Sequence, residues 1–219
     1  MTRFPNETPA YRTAREELLR AEIDLRRRTE EVAAMRRRLP LGGPVPEDYA
    51  FEAGDGRTVR LSELFTLPNA SLVLYNFMYG PKRAAACPMC TSFLDSLDGS
   101  APHLTQRLNL AVVAKSPIDR IRAHARARGW RHLRLLSSAG NAFNRDYLGE
   151  NPDESQNPLL HVFVRRGPTV HHVYTTELFF ASPEPGQNPR HIDPMWPLWN
   201  VFDVTPEGRP EGWYPKLEY

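Results

Sequence analysis

Cys87 and Cys90 are the two cysteines of the chain, and they stand in the run Cys87-Pro88-Met89-Cys90. Two thiols at this spacing can close a disulfide on each other or share a soft metal ion. A ring that short adds little stability by closing. A chain of 219 residues also buries enough surface to need no covalent staple. The pair is therefore read as chemistry rather than scaffolding. Its position sharpens the reading. The apolar run 72–77 ends, a loop of small residues follows, and Cys87 arrives just before a helical pattern. Pro88 suits the first helical position, where a missing N–H costs nothing. Cys87 would then face free backbone N–H groups and the positive end of the helix dipole, and both favour a thiolate. Cys90, one turn further in, would be more buried. This assigns Cys87 as nucleophile and Cys90 as the thiol that resolves a mixed disulfide.

A metal site is the rival from another class. There is no second Cys-x-x-Cys, so zinc or copper would need histidines from among His103, His124, His132, His161, His171, His172 and His191. His161 with His171 or His172 would lie on the two arms of a hairpin and could face each other. Tyr79, Lys82 and Arg83 precede Cys87; they either raise its thiolate fraction or stand in solvent. Asn144 and Asp146 are either structural or groove-lining, and Trp130 reads as core.

The elements that must position these residues follow from patterning. Residues 9–39 form one long helix, capped by Thr8 and opened by Pro9. Glu16/Arg20, Glu22/Arg26 and Asp24/Arg28 are expected ion pairs in the favourable order, and the arginine triplets 26–28 and 36–38 read as solvated faces, with a polyanion site as the alternative. Pro40, Gly42, Gly43, Pro44 and Pro46 make a linker, so residues 1–40 are a helical extension and 41–219 the main domain. In that domain, a hairpin turns at Asp55-Gly56 and a continuous apolar run at 71–77 is a buried strand. A helix near 88–107, a strand at 110–114 and a helix from Pro117 to Gly129 follow. A third short strand lies at 133–136, and a hairpin joins 159–165 to 169–174. Residues 181–219, rich in Pro and Trp, wrap the surface or cover an edge. The expected fold is α/β with a mixed sheet flanked by helices.

Composition removes several alternatives. The formal net charge of +2 gives no case for nucleic acid or membrane partners. The first ten residues hold no apolar run of a signal peptide, and no stretch approaches the roughly 18 apolar residues of a membrane span. A cytoplasmic protein is the expectation, and a structural disulfide would be unusual there. The long helix has a thin apolar stripe, and Trp196, Trp199 and Trp213 add aromatic surface, so a homodimer is possible.

The chain resembles a bacterial thioredoxin-like family of unknown function whose members are regarded as dithiol–disulfide oxidoreductases. The resemblance runs over about residues 10–209. It is carried by Arg38-Leu39-Pro40, Asp48-Tyr49-Ala50-Phe51, Leu61-Ser62-Glu63-Leu64-Phe65, Tyr75-Asn76-Phe77-Met78-Tyr79-Gly80-Pro81, the cysteine run, Gly129-Trp130, Phe143-Asn144-Arg145-Asp146 and residues 203–209. It implies a thioredoxin-like sheet with a peroxiredoxin-like layout. It also implies a protein or small-molecule thiol or disulfide as substrate, a cellular dithiol as reductant, and no cofactor or metal. It further draws attention to Pro158, directly before a strand, as the cis-proline such folds set opposite the cysteines. The third site residue is therefore Pro158, with a cis Asn157–Pro158 bond; a trans bond would remove the substrate groove and move the metal reading to first place. The peroxidatic pattern Pro-x-x-x-Thr-x-x-Cys is not met, since Gly80 and Ala84 stand where Pro and Thr would.

Overall fold

The computed structural model describes residues 3–66 and 71–219. The chain divides into two compact units, Met1–Pro40 and Leu41–Tyr219.

The first unit is helix α1, Pro9–Arg37. Thr8 caps it as expected, its hydroxyl oxygen accepting the Tyr11 N–H at 3.2 Å. The ion pairs differ from those expected: Arg12–Glu16 at 3.6 Å, Asp24–Arg27 at 2.8 Å and Arg28–Glu31 at 3.0 Å. Exposed partners three and four residues away differ by well under about 1 kcal/mol, so spacing alone does not choose between them.

The second unit is built on one seven-stranded sheet. β1 (Ala50–Ala53) and β2 (Thr58–Arg60) form the hairpin at Asp55-Gly56. Gly56 has φ 83°, which a side chain would resist. β3 (Leu72–Asn76) leads through helix α2 (Pro88–Leu104) to β4 (Asn109–Ala114). Helix α3 (Ile118–Arg128) then leads to β5 (Leu135–Ser137), and Gly129 ends the helix in the left-handed conformation at φ 74°. A short helix α4 (Phe143–Asp146), the hairpin β6 (Leu160–Arg166) and β7 (Thr169–Thr175), and helix α5 (Pro197–Phe202) complete the order.

The strands lie in the order β2-β1-β5-β4-β3-β6-β7. β3, β4 and β5 run parallel, β6 adds antiparallel to β3, and β7 antiparallel to β6. A β-α-β unit and an antiparallel hairpin thus share one central strand. This is the thioredoxin-like arrangement, and the β1–β2 hairpin extends it at the far side in the peroxiredoxin-like manner.

Alternation along β3 and β4 sorts two cores. Tyr75, Val112 and Ala114 join Cys87, Cys90, Phe93 and Leu94 on one face. Leu72, Leu74, Ala111 and Val113 join Phe51, Phe143 and Phe163 on the other. The aromatic tail does more than wrap the surface. Trp196 and Trp199 are buried in the cysteine-side core, with Trp196 edge-on to Phe93 at 6.0 Å between centroids.

Candidate active site

Cys87 is the N-cap of α2, with extended φ −66° and ψ 122°, and Pro88 takes the first helical position. The strand before it and the helix after it hold the residue at both sides. Its N–H donates to the Met78 carbonyl at 3.2 Å, and its carbonyl accepts the Thr91 N–H at 2.9 Å. Both thiols are free and largely buried, with Cys87 8% exposed and Cys90 2%.

The two sulfurs divide one electrostatic environment. A hydrogen bond from the Cys90 thiol lowers the Cys87 thiol to about 6. The N–H groups of Cys90 and Met89 and the charge of Arg83 act in the same direction, against the cost of burial. Burial pushes the Cys90 thiol well up, and the hydrogen bond it gives Cys87 adds to that. The Tyr75 hydroxyl pulls Cys90 the other way through its own hydrogen bond. The arrangement can thus present one thiolate near neutral pH and keep a second thiol protonated beneath it.

The loop before Cys87 is fixed rather than open. Arg120 of α3 donates to the carbonyls of Arg83 at 2.7 Å and Ala84 at 3.2 Å, and its guanidinium lies 4.3 Å from the centroid of the Tyr79 ring. Tyr79 is buried, Lys82 is exposed and bound to the Asp153 carbonyl at 2.7 Å, and the Arg83 charge acts on the Cys87 thiol. Trp130 packs as expected for core, against Phe77 and His124.

Pro158 departs from expectation. No peptide bond among the described residues is cis, so Asn157–Pro158 is trans. Trans is the favoured isomer of an X–Pro bond, and it goes here with a particular setting of the Asn157 carbonyl. It is turned inward, accepting the Asn76 side-chain amide at 2.5 Å and the Leu159 N–H at 3.1 Å. It is therefore not presented to an extended substrate as a cis bond would present it. The segment still lies at the end of β3 from which the cysteine loop departs, since the Asn76 N–H donates to Leu159 at 2.7 Å.

With a trans bond, the metal alternative has to be weighed on its ligands. His161 and His172 do face each other, meeting at the Thr175 hydroxyl oxygen at 2.6 and 2.8 Å. His161 pairs with Leu74 across the sheet and packs on Phe143 and Phe163, on the face away from the cysteines. Close to the pair, the His124 ring is bonded to Thr91 at 3.0 Å. Among the described residues no group of three or more His, Cys, Asp or Glu side chains is placed to hold a metal ion.

A buried amide network escaped the sequence reading. Asn76, Asn144, Gln156 and Asn157 are all buried at the end of β3. Asn144 donates to Asn76 at 2.7 Å and to Gln156 at 3.0 Å, and Ser138 donates to Asn144 at 2.5 Å. Asn144 is thus structural, and Asp146 accepts the Tyr49 hydroxyl at 2.8 Å. The available signal was a lone Asn inside an apolar strand, which must find partners when buried.

A family model described as bacterial protein of unknown function (DUF899) matches residues 1–219. Among solved structures, the chain is similar to peroxiredoxin Q of Xanthomonas campestris, with 14% identity and a TM-score of 0.48 over 63% of this chain and 84% of that one. It is also similar to a hypothetical protein of Sinorhizobium meliloti, with 19% identity and a TM-score of 0.45 over 76% and 84%. Peroxidoxin BcpB of Mycobacterium tuberculosis gives 19% identity and a TM-score of 0.43 over 62% and 86%. Comparison with curated proteins gives no match. No helix among the described residues is long and apolar enough to cross a membrane.

Proposed function

The chain belongs to the DUF899 family of bacterial proteins, and we propose that it works as a two-cysteine thiol–disulfide oxidoreductase of the cytoplasm. One observation carries the reading. Cys87 caps a helix with its thiol lowered to about 6, while the more buried Cys90 hydrogen-bonds to it with its own thiol raised.

The chemistry runs in two displacements. The Cys87 thiolate attacks one sulfur of a substrate disulfide. A Cys87–substrate disulfide forms, and the other substrate sulfur leaves as a thiolate. Cys90 then loses its proton and attacks the Cys87 sulfur. The Cys87–Cys90 disulfide forms, and the second substrate sulfur leaves. The substrate gains two electrons and the protein loses them. A cellular dithiol restores the pair, and the same steps in reverse oxidise a substrate dithiol. The Tyr75 hydroxyl, hydrogen-bonded to Cys90, eases loss of the Cys90 proton in the second step. Pro158 takes no part in the scheme, since its trans bond turns the Asn157 carbonyl inward rather than toward a substrate. No cofactor or metal enters the scheme.

The test is trapping. Cys90→Ser should accumulate a mixed disulfide with a small aromatic disulfide, seen by intact mass, whereas the wild type should release both halves. Equal trapping by Cys87→Ser would misassign the nucleophile. Zinc or copper held tightly by the reduced wild type and lost in Cys87→Ser would favour the metal alternative.

A further inference from the structure

Away from the thiols, a groove of about 800 Å³ opens between the β1–β2 hairpin, α3 and β5, and four arginines line it: Arg57, Arg122, Arg126 and Arg134. We infer that this groove binds a polyvalent oxyanion, a small molecule carrying phosphate or carboxylate groups. Its volume falls within the roughly 300–1,000 Å³ of small-molecule sites.

The charge balance points to an anion. Asp55 and Glu63 also line the groove, so its carboxylates number two against four guanidinium groups. Asp55 takes the Arg57 guanidinium at 2.8 Å, and Glu63 accepts the Arg60 backbone N–H at 2.7 Å. Arg122 reaches the exposed Asp119 at 3.5 Å. Arg126 and Arg134 form no ion pair among the described residues; the Asp55 and Glu63 charges act on Arg134, but four guanidinium groups stand against two carboxylates in the lining.

The backbone sets these groups in place. Arg122 and Arg126 are four residues apart on α3, where like charges repel one another. Arg134 precedes β5, and its carbonyl accepts the Val112 N–H at 2.8 Å, which fixes the root of its side chain. The Arg134 side chain is half-buried, and burial lowers its affinity for its proton. Asp55 and Glu63 favour the charge on Arg134 and Arg57 opposes it, but burial dominates, so a further counter-charge would be favourable there. An oxyanion supplies one, and the planar fork of arginine fits phosphate and carboxylate in two-point contacts. Trp130 and Leu133 give the groove an apolar side. The Trp130 ring is held by its N–H bond to Asp95 at 2.8 Å.

The test is calorimetric titration of the full chain at low ionic strength with pyrophosphate and, separately, with citrate. One site per chain is expected for at least one of them, and the preferred anion tells phosphoryl from carboxylate chemistry. Arg134→Gln and Arg126→Gln should each weaken binding about tenfold, as for loss of one charged hydrogen bond, while Arg131→Gln, an exposed arginine outside the groove, should leave it unchanged. Arg126 is exposed, so Arg126→Gln decides the matter alone if Arg134→Gln unfolds. Absence of binding to both anions overturns the proposal, as does equal weakening by Arg131→Gln.

Discussion

The side-chain amide of Asn76 donates to the Asn157 carbonyl at 2.5 Å, so the last residue of the strand that leads to Cys87 is tied to the residue before Pro158. The same amide reaches the Gly149 carbonyl at 3.0 Å, and its oxygen accepts from Asn144 at 2.7 Å. Three separate segments therefore meet on one buried side chain. Such networks fix a loop geometry more tightly than apolar packing does, because each bond is directional and each unmade bond is costly.

Asn76→Ala should accordingly destabilise the protein by about 3 kcal/mol, since it leaves buried polar groups short of a partner. Gly149→Ala should act through the same network, as a β-carbon there would stand 2.7 Å from the Asn76 amide nitrogen. Urea unfolding at pH 7 measures both. A loss under about 0.5 kcal/mol for Asn76→Ala, the range of an ordinary surface substitution, would show that the network does not hold the strand end.

The cysteine constellation was legible because its causes are local. An apolar strand, small loop residues and a proline after the first cysteine are enough to put Cys87 at a helix start. The central strands, α3 and its Gly129 stop were legible for the same reason. What stayed hidden depends on distant partners. The Asn157–Pro158 bond is trans, the favoured state of an X–Pro bond, and the carbonyl before Pro158 is held by Asn76, 81 residues earlier. Trp196 and Trp199 are buried in the cluster that holds Phe93, a distant contact that no local pattern announces. Arg120 gives no local sign either that it holds the loop at Arg83 and Ala84.

The Cys87 thiol should titrate near pH 6, read as thiolate absorbance or as the pH dependence of alkylation. The largest cause is the hydrogen bond from Cys90, so Cys90→Ala should move the midpoint upward toward an ordinary thiol. The sign for stability follows. A folded-state value below the unfolded one adds stability above the unfolded value, and that part is lost as pH falls through about 6. An unchanged midpoint in Cys90→Ala would assign the shift to the helix start alone.

Arg120→Met keeps the length of the side chain and removes its donors. The loop carbonyls of Arg83 and Ala84 then lose their α3 anchor. Hydrogen exchange at residues 80–87 should quicken about tenfold, corresponding to loss of about 1.4 kcal/mol of local protection. Exchange in β4 should stay as it was. Equal protection of the loop in both proteins would show that Tyr79 packing, rather than the guanidinium, holds it.

His161 gives the last prediction, and it concerns the face of the sheet away from the thiols. The Thr175 hydroxyl has one proton to give and lies between two imidazoles, His161 at 2.6 Å and His172 at 2.8 Å. A backbone bond at Tyr174 favours the protonated side of the His172 ring. His172 Nε2 then accepts from Thr175, and Thr175 accepts from His161 Nδ1–H. This leaves His161 Nε2 unprotonated, buried and without a partner among the described residues. Burial holds the His161 imidazole down at about 3, with the charge on His172 adding to the effect. Above about pH 6.5 neither the folded nor the unfolded chain charges this ring, so stability is at its full value there. Below that pH the unfolded chain takes up a proton that the folded chain refuses until about 3. Stability should then fall by about 1.4 kcal/mol per pH unit from this group. His161→Leu removes the effect while keeping an apolar filling for the core. Between pH 7 and pH 4 the wild type should lose about 3 kcal/mol more than the variant, measured by urea unfolding at each pH. Parallel pH profiles for the two proteins would mean that the imidazole carries a proton inside the folded core.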